Sequence, residues 1–77
     1  MNLDYKYLVA LVGINKETKE TVRGGYKLFK ERDPTAIEKY GRERAKEVNI
    51  DLQKIEIYSL ETKLVDEIKF GSETQKP

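Results

Sequence analysis

Residues 5–14 read Tyr-Lys-Tyr-Leu-Val-Ala-Leu-Val-Gly-Ile and form the most apolar stretch of this 77-residue chain. Alternate side chains of an extended strand point to opposite faces, and here both rows are apolar. One row consists of Tyr5, Tyr7, Val9 and Leu11, and the other of Leu8, Ala10, Val12 and Ile14. The stretch therefore predicts a central strand with one face against a helix and the other in need of a second covering.

The length and the net charge of the chain limit the size of its core and the classes of partner it can bind. A chain of 77 residues makes one domain with one modest core, and it buries only about 60% of its unfolded surface. A second subunit would therefore add to a small margin of stability. Charged residues make up 38% of the chain and the net charge is +1, which excludes a strongly acidic nucleic-acid mimic and a broadly polybasic binder.

Two residue types that carry much of enzyme chemistry are absent from the sequence. The chain has no cysteine and no histidine, so it offers no disulfide, no thiolate metal site and no imidazole base. We therefore expect no enzyme activity, no cofactor and no metal site. The longest aliphatic run, residues 8–12, is far shorter than the roughly 20 residues of a membrane-spanning helix. A cytoplasmic protein without membrane insertion is the expectation.

Two short segments with the same turn chemistry predict two β-hairpins. They read Asn-Lys-Glu-Thr-Lys at 15–19 and Ser-Leu-Glu-Thr-Lys at 59–63. The first joins strands at 5–14 and 21–29, and the second joins strands at 54–58 and 64–70. Asn15 and Ser59 are residues that bond the backbone two positions on, and Lys19 and Lys63 are expected in the left-handed conformation that closes such turns.

One helix lies between the hairpins. Asp33 is the expected N-cap, Pro34 the first helical residue, and the body runs over residues 35–48. Its buried stripe follows from spacings of three and four residues and contains Ile37, Tyr40, Gly41, Ala45 and Val48. Gly41 is unfavourable in a helix, so it indicates a close approach to the sheet.

These elements predict an α+β protein with one compact domain over residues 1–70 and a disordered C-terminal tail over residues 71–77. The element order is ββαββ. The most apolar strand belongs at the centre, which gives a four-stranded antiparallel sheet ordered 2-1-3-4 with one helix packed on one face.

The second apolar face of the central strand carries the functional hypothesis. If the Leu8 row meets the helix, the exposed row is that of Tyr5, Tyr7, Val9 and Leu11, an amphipathic surface typical of protein interfaces. Periodicity alone leaves the choice of row open, because a bulge at residues 24–25 would reverse the alternation. The favoured hypothesis is a small protein–protein interaction module, such as an adaptor, inhibitor or regulator, with a phage or mobile element as a candidate source. It would act as a homodimer or dock on another protein.

Nucleic-acid binding is the alternative. Arg23, Lys27 and Phe29 alternate along the second strand beside Gly24 and Gly25, and a basic and aromatic sheet surface can stack bases and contact phosphates. No RNP, GXXG or helix-turn-helix signature accompanies these residues.

Overall fold

A computed structural model describes residues 5–70 of the chain. The elements are β1 (Tyr7–Asn15), β2 (Thr21–Phe29), α1 (Pro34–Glu47), β3 (Ile50–Ser59) and β4 (Leu64–Lys69). The strands form one antiparallel sheet in the order β2-β1-β3-β4, and α1 packs on one face of it. The predicted α+β architecture and strand order are confirmed. The predicted tail at 71–77 lies outside the described residues, as do residues 1–4. Within residues 5–70, no helix is long and apolar enough to cross a membrane.

The helix begins where the sequence predicted. Asp33 is the N-cap, and its Oδ1 accepts hydrogen bonds from the backbone amides of Thr35 at 3.1 Å and Ala36 at 3.5 Å. These two bonds satisfy amides that have no partner within the helix. Of the predicted stripe, Ile37, Gly41 and Ala45 are buried and Tyr40 is half-buried. Val48 departs from the prediction, since it caps the C-terminus and is 40% exposed.

Gly41 permits the close helix–sheet contact that its position predicted. A Cβ atom at Gly41 would lie 2.5 Å from Cδ1 of Ile55 and 3.3 Å from Cδ2 of Leu11. No real Cβ atom approaches another carbon to 2.5 Å. Because residue 41 has no side chain, the helix lies this close to β1 and β3 without displacing the Ile55 side chain.

Both predicted hairpins form, but their loops differ in length. The amide of Asn15 donates to the carbonyl of Glu20 at 2.9 Å, which leaves a four-residue loop ending at Lys19. The amide of Ser59 donates to the carbonyl of Lys63 at 2.8 Å, which leaves a three-residue loop ending at Thr62. The last loop residue is left-handed in each case, with φ 67° at Lys19 and 65° at Thr62. The expectation was right for Lys19 and wrong for Lys63, because the second loop closes one residue earlier.

These loop geometries make a prediction for glycine substitutions. Lys19→Gly and Thr62→Gly remove the steric strain of a side chain on a left-handed backbone, although glycine also raises the conformational entropy of the unfolded chain. We expect each to be neutral or to raise the free energy of unfolding by up to about 1 kcal/mol, with the larger gain at the β-branched Thr62. Lys63→Gly is the control, because Lys63 is not left-handed and glycine there should destabilise. Urea denaturation of the three variants checks this, and a stabilising Lys63→Gly would contradict it.

The row of β1 that faces the helix is the reverse of the row assumed above. Val9 and Leu11 are 0% and 1% exposed, in the core cluster with Ile37 of the helix, and Tyr7 packs against that cluster half-buried. The prediction that they form an exposed interface is therefore wrong, and only Tyr5, at 41% exposure, is at the surface. The physical reason lies in β3, whose Ile55 and Ile57 face the helix and pair with Leu11 and Val9. Leu8, Ala10 and Val12 point the other way.

Candidate functional site

The sheet face opposite α1, here called the open face, carries an apolar row that crosses all four strands. Leu8 of β1 lies opposite Leu28 of β2 on one side and opposite Tyr58 of β3 on the other, and Tyr58 lies opposite Leu64 of β4. Leu28 and Leu64, at the two ends, are 43% and 48% exposed, while Leu8 and Tyr58 are half-buried. Directly opposed side chains of neighbouring strands contact one another. The apolar row is therefore a continuous ridge across the sheet.

The next row along the strands is acidic. Ala10 of β1 lies opposite Glu56 of β3, which lies opposite Glu67 of β4. Glu56 is only 4% exposed although it lies on the face without a helix, and Ala10 is fully buried. A carboxylate withdrawn this far from water needs charged or hydrogen-bonding partners.

A third row supplies those partners. It consists of Arg23, Val12, Lys54 and Lys69, one residue from each strand. Arg23 donates two hydrogen bonds to Glu56, from Nε to Oε1 at 2.9 Å and from Nη2 to Oε2 at 3.0 Å. Lys54 Nζ lies 3.3 Å from Glu56 Oε2 and 3.3 Å from Glu67 Oε2. Arg23 and Lys54 of this basic row thus compensate the carboxylates of the acidic row.

The bond between Arg23 and Glu56 joins two strands that are not neighbours. Arg23 is on β2 and Glu56 on β3, and β1 runs between them, so the ion pair spans the central strand. Ala10, the small residue of β1 opposite Glu56, leaves room for the two side chains to meet above the sheet. The Tyr58 hydroxyl also donates to Glu56 Oε1. No buried side-chain polar atom of residues 5–70 lacks a hydrogen-bond partner.

The ionisation of this network follows from its contacts. Hydrogen bonds from Arg23 hold the pKa of Glu56 down to about 2, although burial alone would raise it. The Glu56 carboxylate in turn raises the pKa of the Tyr58 hydroxyl and, together with Glu67, that of the Lys54 ammonium. Glu56 is therefore a charged carboxylate at neutral pH, and the arrangement is a fixed ion-pair network.

The residues of the predicted nucleic-acid surface do not share a face. Arg23 lies on the open face opposite Val12, whereas Lys27 lies opposite Val9 on the helix side. There the Lys27 Nζ atom is 5.7 Å from the ring centroid of Tyr40 and 5.9 Å from that of Phe29, which packs against the core. The cause is the bulge that the sequence allowed for. The β1–β2 register shifts between Val9 and Leu11, and Gly25 on the facing strand is left-handed with φ 63°.

Two tyrosines extend the apolar row at its β2 end. Tyr5 and Tyr26, which is 58% exposed, line a shallow depression together with Leu8, Lys27 and Leu28. Of this surface only Tyr5 was among the residues predicted for an interface. Leu28, Tyr58 and Leu64 were missed. A sequence signal exists for Tyr58, because Lys54, Glu56 and Tyr58 alternate with Ile55 and Ile57 along β3.

Residues 5–70 contain no group of three or more acidic, histidine or cysteine residues arranged to hold a metal ion.

Comparison with protein-family models, curated proteins and solved structures finds no match to this chain. Function is therefore inferred from the geometry of the chain itself.

Proposed function

We propose that this protein is a small interaction module, an adaptor, inhibitor or regulator, that binds another protein chain through the open face of its sheet. The observation that carries the proposal is the apolar row across four strands on the face that α1 leaves uncovered. Large contiguous apolar patches are uncommon on monomers that bind nothing. Tyrosine is enriched at protein interfaces, and the centre of an interface is more apolar than the rest of a protein surface.

The charges of the open face favour a protein over a nucleic acid. Arg23 is already hydrogen-bonded to Glu56, and Lys54 forms ion pairs with Glu56 and Glu67, so their charges are largely compensated within the protein. Nucleic-acid binding depends on cations that are free to replace counterions at phosphates. A cytoplasmic location suits the proposal, because a chain without cysteine needs no oxidising compartment.

The proposal is tested by placing a photo-crosslinking amino acid, p-benzoylphenylalanine, in the full chain inside cells. At position 28 it lies on the open face, and at position 39, in place of the exposed Lys39 of α1, it serves as the control. We expect crosslinks to protein from position 28 and none from position 39. Crosslinks to nucleic acid at position 28, or equal protein crosslinking at both positions, would contradict the proposal.

A further inference from the structure

We infer that the partner of the open face is a second copy of this chain, packed face to face with the apolar rows in contact. This inference rests on the proposed function and adds the identity and geometry of the partner. The two copies are related by a two-fold axis that runs along the apolar row. Each side chain of the row then lies near its own counterpart, with Leu28 against Leu28 and Leu64 against Leu64.

The nearly balanced charges of the open face and of the whole chain favour a second copy of the chain as the partner. The acidic and basic rows contribute two carboxylates, Glu56 and Glu67, and three cations, Arg23, Lys54 and Lys69. The whole chain has a net charge of +1, so two copies repel each other only weakly. A strongly acidic or basic partner would find only a weak field on a face that has two carboxylates against three cations. An apolar row, in contrast, is complementary to itself.

The same charges select the orientation of the two-fold axis. If the axis ran parallel to the strands, each row would lie on the same row of the other copy. Arg23 would then lie over Lys69, and the glutamates would be buried between the two sheets. An axis along the apolar row instead sends the acidic and basic rows of the two copies to opposite ends of the contact. The outer side of the network, where Arg23 has half of its side-chain surface exposed, then stays in contact with water. The second arrangement therefore avoids like-charge contacts.

The dimensions of the sheet predict a weak dimer. Four strands spaced about 4.8 Å apart make a face roughly 19 Å wide. The contact centres on one row near the end of the sheet, so its area falls at the low end of specific interfaces. We expect a dimer that dissociates at micromolar concentrations.

Sedimentation equilibrium of the purified chain over a concentration series tests the dimer. We expect the wild-type mass to rise toward twice the monomer mass, and Leu28→Glu and Leu64→Glu each to remain monomeric. Val48→Glu is the matched control, because Val48 is a comparably exposed apolar residue at the end of α1, away from the open face. Its mass should follow the wild type. Circular dichroism establishes that each variant is folded, and the use of two row variants keeps the test valid if one unfolds.

The orientation is tested with a short bis-maleimide crosslinker, since an introduced cysteine is the sole thiol in this chain. Packed sheets lie about 10 Å apart, which is too far for a disulfide but within reach of such a linker. Leu28→Cys alone and Leu64→Cys alone should each give a covalent dimer. Crosslinking only in a mixture of the two variants would overturn the proposed axis.

The two proposals fail in different ways. A wild-type chain that stays monomeric at high micromolar concentration overturns the self-association. If position 28 then crosslinks to a foreign protein in cells, the proposed function stands with another partner. If position 28 crosslinks to no protein, the proposed function fails as well.

Discussion

Glu56→Gln is expected to lower the free energy of unfolding by about 2–3 kcal/mol at pH 7. The pKa of this carboxyl falls from an ordinary value of 4.5 to about 2 in the folded protein. Each pKa unit corresponds to about 1.4 kcal/mol of preference for the charged form, so about 3.5 kcal/mol is an upper bound. Solvent screening of the half-exposed Arg23 guanidinium keeps the loss below this bound, although the Glu56 side chain itself is only 5% exposed. A glutamine keeps the shape but cannot offer two anionic oxygens to Arg23.

The pH dependence of this loss has a definite sign. A carboxyl whose pKa is lowered by folding contributes its full stabilisation above the unfolded value of about 4.5, and that stabilisation is lost as pH falls through about 2. The stability difference between wild type and Glu56→Gln should therefore be constant near neutral pH and shrink from pH 4.5 to pH 2. Urea denaturation at several pH values measures it.

Glu38→Gln is the matched control. Glu38 forms an ion pair with Arg42 on the helix surface, with 2.7 Å between Oε2 of Glu38 and Nη2 of Arg42, and both side chains are well exposed. Exposed pairs of this kind contribute about 0.5 kcal/mol or less. A loss at Glu56→Gln no larger than that at Glu38→Gln would show that the network on the open face is weak.

A large loss at Glu56→Gln would not mean that the network stabilises the fold relative to an apolar one. Removing one partner leaves Arg23 and Lys54 beside each other without their common carboxylate, whereas replacing all members with apolar residues is often neutral. The network keeps the charged Glu56 side chain buried on the open face, where no helix covers it. Its consequence is to fix the positions of β2 and β3 on either side of β1.

The sequence predicted the element order well because its signals there are local. Asp33 followed by Pro34 begins the helix through contacts within one turn. Asn15 and Ser59 close their loops through bonds to amides two positions on, from Glu17 and Glu61. Such features depend on neighbours in sequence and not on the tertiary fold. The strand order then followed from the apolar character of β1.

The composition of the open face was harder to predict because it depends on strand register. Both rows of β1 are apolar, so periodicity gave no preference for the row with Leu8 or the row with Val9. The bulge at Gly25 reversed the alternation of β2 and moved Lys27 away from Arg23. The pairing of Arg23 with Glu56 joins positions 33 residues apart across an intervening strand. No local pattern in the sequence specifies such a contact.

Gly13→Ala is expected to cost about 2–3 kcal/mol, because the new methyl group would collide with the backbone of the neighbouring strand. A Cβ atom at Gly13 would lie 2.5 Å from the carbonyl oxygen of Asp51 and 3.1 Å from its carbonyl carbon. These atoms belong to β3, so relief requires the strand itself to move and not only a side chain. The site lies where the β1–β3 register shifts, between Val12 and Gly13.

Gly24→Ala gives the matched comparison, since it makes the same change in the neighbouring strand β2. A Cβ atom there has nothing within 4 Å, and Gly24 is not left-handed. Alanine also reduces the freedom of the unfolded chain, so we expect a neutral effect or a gain of up to about 1 kcal/mol. Thermal and urea denaturation of both variants measure the difference. Equal stabilities would mean that β1 and β3 do not approach closely at Gly13, and the register shift between Val12 and Gly13 would then be in error.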